Sequence, residues 1–235
     1  MTSRRVTVDV GNSSVGVGVW ERGRVSVRQE RDPARAASLI VGEAAVISVA
    51  PARLDALLGA LDPHLAATMR VLDAAPADLA DPVLLASAGA DRVASALAVR
   101  PGPAIVVDAG TAVTVDVVDA DGVFRGGFIA AGPAAAAAAL AGGASQLPAT
   151  TGGPSPLRIG GETASALSAG LWGQAVGGVD RLVDLARESL PSARDVRLLA
   201  TGGWGSSWAA DSAHSGIECD PHLVHRGIAR WAGWL

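Results

Sequence analysis

The chain has 235 residues, 49% hydrophobic and 18% charged, with a formal net charge of −4. It contains no tyrosine, and all 19 basic residues are arginine, so a Walker A phosphate loop and a Schiff-base lysine are both excluded. A single cysteine, Cys219, excludes an intrachain disulfide and a four-cysteine zinc site, and the absence of any block of like charge argues against a nucleic-acid partner.

Residues 1–10 pass from two arginines straight into a β pattern, with no apolar leader and cleavage site, so a cytoplasmic protein is expected. The apolar run Val6–Val10 ends in Asp9, Val10 and Gly11, and an alternating strand, a glycine turn at Gly23 and a third strand follow. A short helix is predicted over Pro33–Leu39, a strand over Ala45–Ala50, and a helix over Pro51–Leu61 with Leu54, Leu57, Leu58 and Leu61 on one face. A short strand follows at Met69–Leu72 and a helix at Ala90–Val99. The stretch from Arg100 to Pro103 is the best domain boundary, dividing the chain into residues 1–100 and 101–235.

Beyond it the first pattern returns. At an offset of 99, Asp9 matches Asp108, Gly11 matches Gly110, Asn12 matches Thr111 and Gly23 matches Gly122. Two copies so far apart mean duplicated domains, not a short solenoid repeat. The stretch 126–147 is mostly alanine and glycine and is broken by Pro133, so a buried helix is expected there and no membrane span. A helix over Pro133–Leu140, a long helix over about Glu162–Leu190, a strand over Val196–Ala200, a glycine turn at Thr201–Gly203 and a helix through Trp208 complete an α/β chain. A terminal helix begins near Pro221 with Asp220 as its cap.

One Asp-x-Gly at a strand end reads as an ordinary turn. Two in register read as phosphate turns: the glycine admits close approach, the following N–H groups face phosphate oxygens, and the aspartate acts through Mg²⁺ or water. Asn12 and Thr111 add neutral hydrogen-bonding groups. Gly89, Ala90, Asp91 and Arg92 open a helix. This is either a plain helix start or a carboxylate that takes a hydroxyl proton beside an anion-holding arginine. Gly202 and Gly203 would let a flat adenosine approach the backbone, or they simply turn the chain. Trp204 and Trp208 read as packing. Cys219, His222 and His225 carry zinc-type ligands, but the spacing is short and a fourth ligand is missing, so a capped helix is the better reading.

Together these motifs resemble the type III pantothenate kinases of the acetate/sugar kinase, Hsp70, actin superfamily. Asp9 to Ser13 is similar to the family's D-x-G-N-[ST], Gly89 to Arg92 to its G-x-D-R, and Asp108 to Asp116 to its D-x-G-T-A-x-T-x-D. Gly126 to Gly132 is similar to G-G-x-I-x-P-G, and Thr201 to Gly203 to its adenosine motif. The resemblance implies two duplicated RNase H-like (actin-like ATPase) domains with a cleft between them, and ATP-dependent phosphorylation of pantothenate, the first step of coenzyme A synthesis. It implies Asp91 as catalytic base, and Gly89, Ala90, Arg92 and Thr163 at pantothenate. It implies Asp9, Val10, Gly11, Asn12, Ser13, Gly110, Thr111, Gly202 and Gly203 at ATP, with Mg²⁺ near Asp9 through water and a monovalent cation, K⁺ or NH₄⁺, near Asp108. It also implies a homodimer. The chain departs from the family near the acceptor: residues 82–88 lack the usual Asp-Asn-Pro, Ala131 stands for a proline and Glu162 for an asparagine. Two other readings follow from that departure: a nucleotide-binding regulator without catalysis, and a kinase of another small alcohol.

Overall fold

The computed structural model describes residues 4–144, 146–190 and 195–235. They form two compact units. The first contains the chain up to Arg100, Gly122–Phe124 and His222–Leu235; the second contains Pro101–Asp121 and Arg125–Pro221. A single cut at residue 100 therefore misses the last helix. Its apolar face belongs to the first unit's core, where Val224 and Ile228 meet Ala45, Ile47 and Ala94.

The first unit begins with the meander β1 (Arg5–Val10), β2 (Val15–Glu21) and β3 (Arg24–Glu30), joined antiparallel. Next come α1 (Pro33–Ala37), β4 (Glu43–Ser48), α2 (Pro51–Ala60), α3 (Pro63–Thr68) and β5 (Arg70–Val71). Last are α4 (Pro82–Ser87) and α5 (Ala90–Val99). The sheet order is β3-β2-β1-β4-β5, with β4 parallel to β1 and β5 parallel to β4. Strand alternation sends Val6, Val8 and Val10 to a core with Ala36 and Leu57, beneath α1 and α2. Thr7 and Asp9 fall on the opposite face, the side of α5.

The second unit repeats this order. Its strands are β6 (Ala104–Ala109), β7 (Ala112–Val118), β8 (Phe124–Ala131), β9 (Arg197–Thr201) and β10 (Ile217–Cys219). They lie in the order β8-β7-β6-β9-β10, again a meander followed by two parallel strands. Its helices are α6 (Pro133–Gly143), α7 (Thr163–Glu188) and α8 (Gly205–Asp211). Ile105 and Val107 pack on Trp172, Val176 and Val183 of α7 and Trp208 of α8, which leaves Val106 and Asp108 on the other face. The terminal helix, α9 (Leu223–Trp231), follows β10.

Three local expectations are corrected. The terminal helix starts two residues late, capped at His222, because the Asp220 N–H continues the strand pairing to the Ala200 carbonyl at 2.9 Å. Short α3 and α4, each held by an aspartate cap (Asp62 and Asp81), were not expected, and neither was β10. The repeat also loses one residue at its first turn: Val10 pairs with Val15, whereas Ala109 pairs with Val113. No helix among the described residues is long and apolar enough to cross a membrane.

Candidate functional site

In the first unit, the Asp9 turn is closed by the Gly11 N–H donating to the Ser14 carbonyl at 3.0 Å. The glycine amide is thus used within the turn, and the amides that follow it lie on its exposed tip at Asn12 and Ser13. Two of the turn's carbonyls are held by donors from elsewhere in the unit. Val10 O accepts from Val49 N at 3.1 Å, and Asn12 O accepts from Arg53 Nη2 at 3.1 Å. Arg53 also donates to the Arg31 carbonyl at 2.7 Å. Because a peptide is planar and trans, a carbonyl turned inward sends the next N–H outward. Sequence reasoning missed Arg53; no local pattern connects it to a turn 41 residues away.

At the same end of this sheet lies the start of α5. Asp91 is half-buried in its first turn, and its Oδ1 accepts from the Arg92 N–H at 2.8 Å. A Cβ on Gly89 would stand 2.5 Å from that Oδ1 and 3.5 Å from Val49 Cγ1. Only glycine therefore lets the carboxylate fold back over the helix start, and Val49 in turn is bonded to Val10 beside the Asp9 turn. The Arg92 guanidinium lies 5.5 Å from the ring centroid of buried Phe124, a cation–π contact that holds it in place. Ala90 is half-buried between these residues.

In the second unit, the Asp108 turn is closed from Gly110 N to Ala112 O at 3.0 Å. Its three successive carbonyls are all occupied. Ala109 O accepts from Trp204 N at 3.1 Å, Gly110 O from Trp204 Nε1 at 2.9 Å, and Thr111 O from Gly132 N at 3.0 Å. Gly202 has φ +82°, and a Cβ there would lie 2.5 Å from both Ala109 O and Asp108 Oδ1. The turn at Gly202 and Gly203 therefore lies directly against the Asp-x-Gly turn and stays exposed. On the same face, Thr114 donates to Asp116 Oδ2 at 2.9 Å, and Asp116 is buried.

The structure thus gathers Asp9, Val10, Gly11–Ser13, Gly89, Ala90, Asp91 and Arg92 at one end of the first unit's sheet. It gathers Asp108, Gly110, Thr111, Gly202 and Gly203 in the second unit. Thr163 is exposed at the first position of α7, after Glu162, whose N–H is capped by Ser165 Oγ at 3.3 Å. Among the described residues, no three His, Cys, Asp or Glu side chains gather as a metal set. Cys219 is exposed. His225 is fully buried, with Nδ1 2.9 Å from Thr7 Oγ1. Burial, and then the neighbouring His222, push its pKa down to about 4.

Comparison with known proteins places this geometry. A crystal structure of a Baf family transcriptional activator from Campylobacter jejuni superposes with a TM-score of 0.65 at 22% identity, covering 98% of this chain and all of that one. Component A of (R)-2-hydroxyglutaryl-CoA dehydratase from Acidaminococcus fermentans gives 0.52 at 15% identity, over 97% and 99% of the two chains. Both likenesses are of fold: two mixed five-stranded sheets in one chain. In sequence, the type III pantothenate kinase of Stenotrophomonas maltophilia is 39% identical over 116 residues, 49% of this chain and 45% of that relative, so the match spans less than half the relative's length. The family model for type III pantothenate kinases matches residues 5–185, which include both Asp-x-Gly turns and the Gly89–Arg92 helix start. The chain belongs to the type III pantothenate kinase family.

Proposed function

We propose that this chain transfers the γ-phosphoryl group of ATP to the terminal hydroxyl of pantothenate. The observation that carries the reading is the pair of Asp-x-Gly turns at equivalent strand ends, each with carbonyls held by donors of its own unit, together with the Asp91 carboxylate folded over the start of α5 in the first. In a chain without lysine, such amides, with arginine, hydroxyls and bound cations, are the groups able to hold phosphate oxygens. The oxygen-only character of Asp9 suits Mg²⁺ held through water, and Asp108 suits a monovalent cation. Mg²⁺ would supply neutralisation of the phosphate charge.

Asp91 accepts or orients the hydroxyl proton as the phosphoryl group moves, and Arg92, braced on Phe124, holds the acceptor's carboxylate. Ala90 contacts the same acceptor. Gly202 and Gly203 admit the adenosine. Each unit carries one Asp-x-Gly turn, as two duplicated RNase H-like domains would. The protein works as a homodimer in the cytoplasm. Replacing Asp91 by Asn is expected to lower pantothenate- and ATP-dependent turnover by roughly 10²- to 10⁴-fold while leaving the unfolding midpoint unchanged. An Asp91→Asn enzyme with wild-type kcat would remove Asp91 from the base role.

A second reading is favoured by residues 82–88. There α4 stands where family members carry Asp-Asn-Pro, and the Campylobacter protein of like fold bears a transcriptional activator's name. Retained ATP binding with no phosphopantothenate formed would favour that regulator, or a kinase of another alcohol.

A further inference from the structure

We infer that Trp204 is a positioning residue for the phosphate turn of the second unit. The inference rests on the nucleotide-binding reading above and goes beyond it. Spacing suggests that Trp204 and Trp208 are a packing pair on one helix. Trp208 is one: it is fully buried, and its indole donates to Asp180 Oδ1 at 2.9 Å. Trp204 does something else. It is half-buried at the N-cap of α8, and its two N–H groups grip two successive carbonyls of the Asp108 turn, Ala109 O at 3.1 Å and Gly110 O at 2.9 Å.

The consequence follows from peptide planarity. Holding Gly110 O toward the indole directs the Thr111 N–H to the opposite side of the same peptide plane. Holding Ala109 O directs the Gly110 N–H away from Trp204, where Ala112 O accepts it. One side chain thereby sets the direction of the amide that follows the glycine. The indole is itself fixed. Trp172 meets it edge-on, with ring centroids 5.6 Å apart and planes at 74°, and Trp172 Nε1 donates to Asp211 Oδ2 at 2.7 Å. In the first unit the carbonyl held by a distant side chain is that of Asn12, the counterpart of Thr111, and its donor is Arg53.

The test compares Trp204→Phe with Trp208→Phe in the full chain. Each variant loses one indole hydrogen bond, and only the first touches the turn. For Trp204→Phe, the MgATP dissociation constant and the ATP KM are expected to rise roughly fivefold. The pantothenate KM should stay unchanged, and amide exchange over residues 108–113 should quicken. Trp208→Phe should lower the unfolding midpoint without any of these changes. Equal ATP constants in the two variants, or ATP and pantothenate KM values rising together in Trp204→Phe, would overturn the inference and leave Trp204 as packing. If wild-type protein binds no MgATP, the functional reading falls. Exchange over 108–113 then decides the positioning role by itself, with unaltered exchange in Trp204→Phe refuting it.

Discussion

His225 makes the first unit's stability depend on pH in a way that can be calculated. The imidazole lies fully buried over Gly16 and Gly18 of β2, so close that a Cβ on Gly18 would stand 2.8 Å from Nδ1. Its Nδ1 meets Thr7 Oγ1, which also accepts from Trp20 Nε1 at 3.0 Å; its Nε2 has no hydrogen-bond partner. Burial, then the charge of His222, lower its pKa from 6.5 to about 4, so the folded state refuses a proton that the unfolded chain accepts. Between those two values the unfolded state binds more protons, and stability falls as pH falls. It is fully present above 6.5 and lost progressively down to about 4. At about pH 5 the loss is about 2 kcal/mol, rising to about 3 kcal/mol at the lower limit. Urea unfolding of wild type and His225→Asn, between about pH 7.5 and pH 5, isolates His225 together with its coupling to His222, because the remaining titrations are common to both proteins. The variant is expected to be less stable near neutrality by about 1–2 kcal/mol but flatter with pH. Parallel stability profiles in the two proteins would refute the argument.

Gly202→Ala places a methyl group against Ala109 O and Asp108 Oδ1 at a φ of +82°. A loss in unfolding free energy beyond the roughly 1–2 kcal/mol that the positive φ alone costs, together with weaker MgATP binding in calorimetry, is expected; a loss within that range with unchanged MgATP binding would show that the two turns are independent. Asp180→Ala removes the acceptor for Trp208 Nε1, Ser212 Oγ at 2.7 Å and Ala213 N at 2.9 Å. It should cost about 2–4 kcal/mol by chemical denaturation, and a change below about 0.5 kcal/mol would show that water replaces the carboxylate.

The sequence alone was enough for the elements whose signal is local. Asp9 and Asp108 stand at strand ends because apolar runs stop there at a glycine two residues on, and α5 begins at Ala90 as its apolar spacing predicts. The offset of 99 showed the repeat, and the strand order shared by the two sheets is its structural form. The motif order pointed to the family that the matched residues 5–185 then establish. Short α3 and α4 escaped notice because six residues are too few to display a helical period. The one-residue deletion in the second turn escaped because Asp, Gly and the following polar residue stay aligned up to the point where the strands pair.

Only the tertiary structure decided what surrounds the motifs. Arg53 reaches Asn12, Trp204 reaches Gly110 across 94 positions, and His225 reaches Thr7 across 218. It likewise assigned α9 to the first unit, although the helix follows the second unit's last strand. Strand and helix patterns repeat every two to four residues and can be read along the chain. The direction in which a turn points its amides depends on which distant donors take its carbonyls, and no spacing along the chain records that.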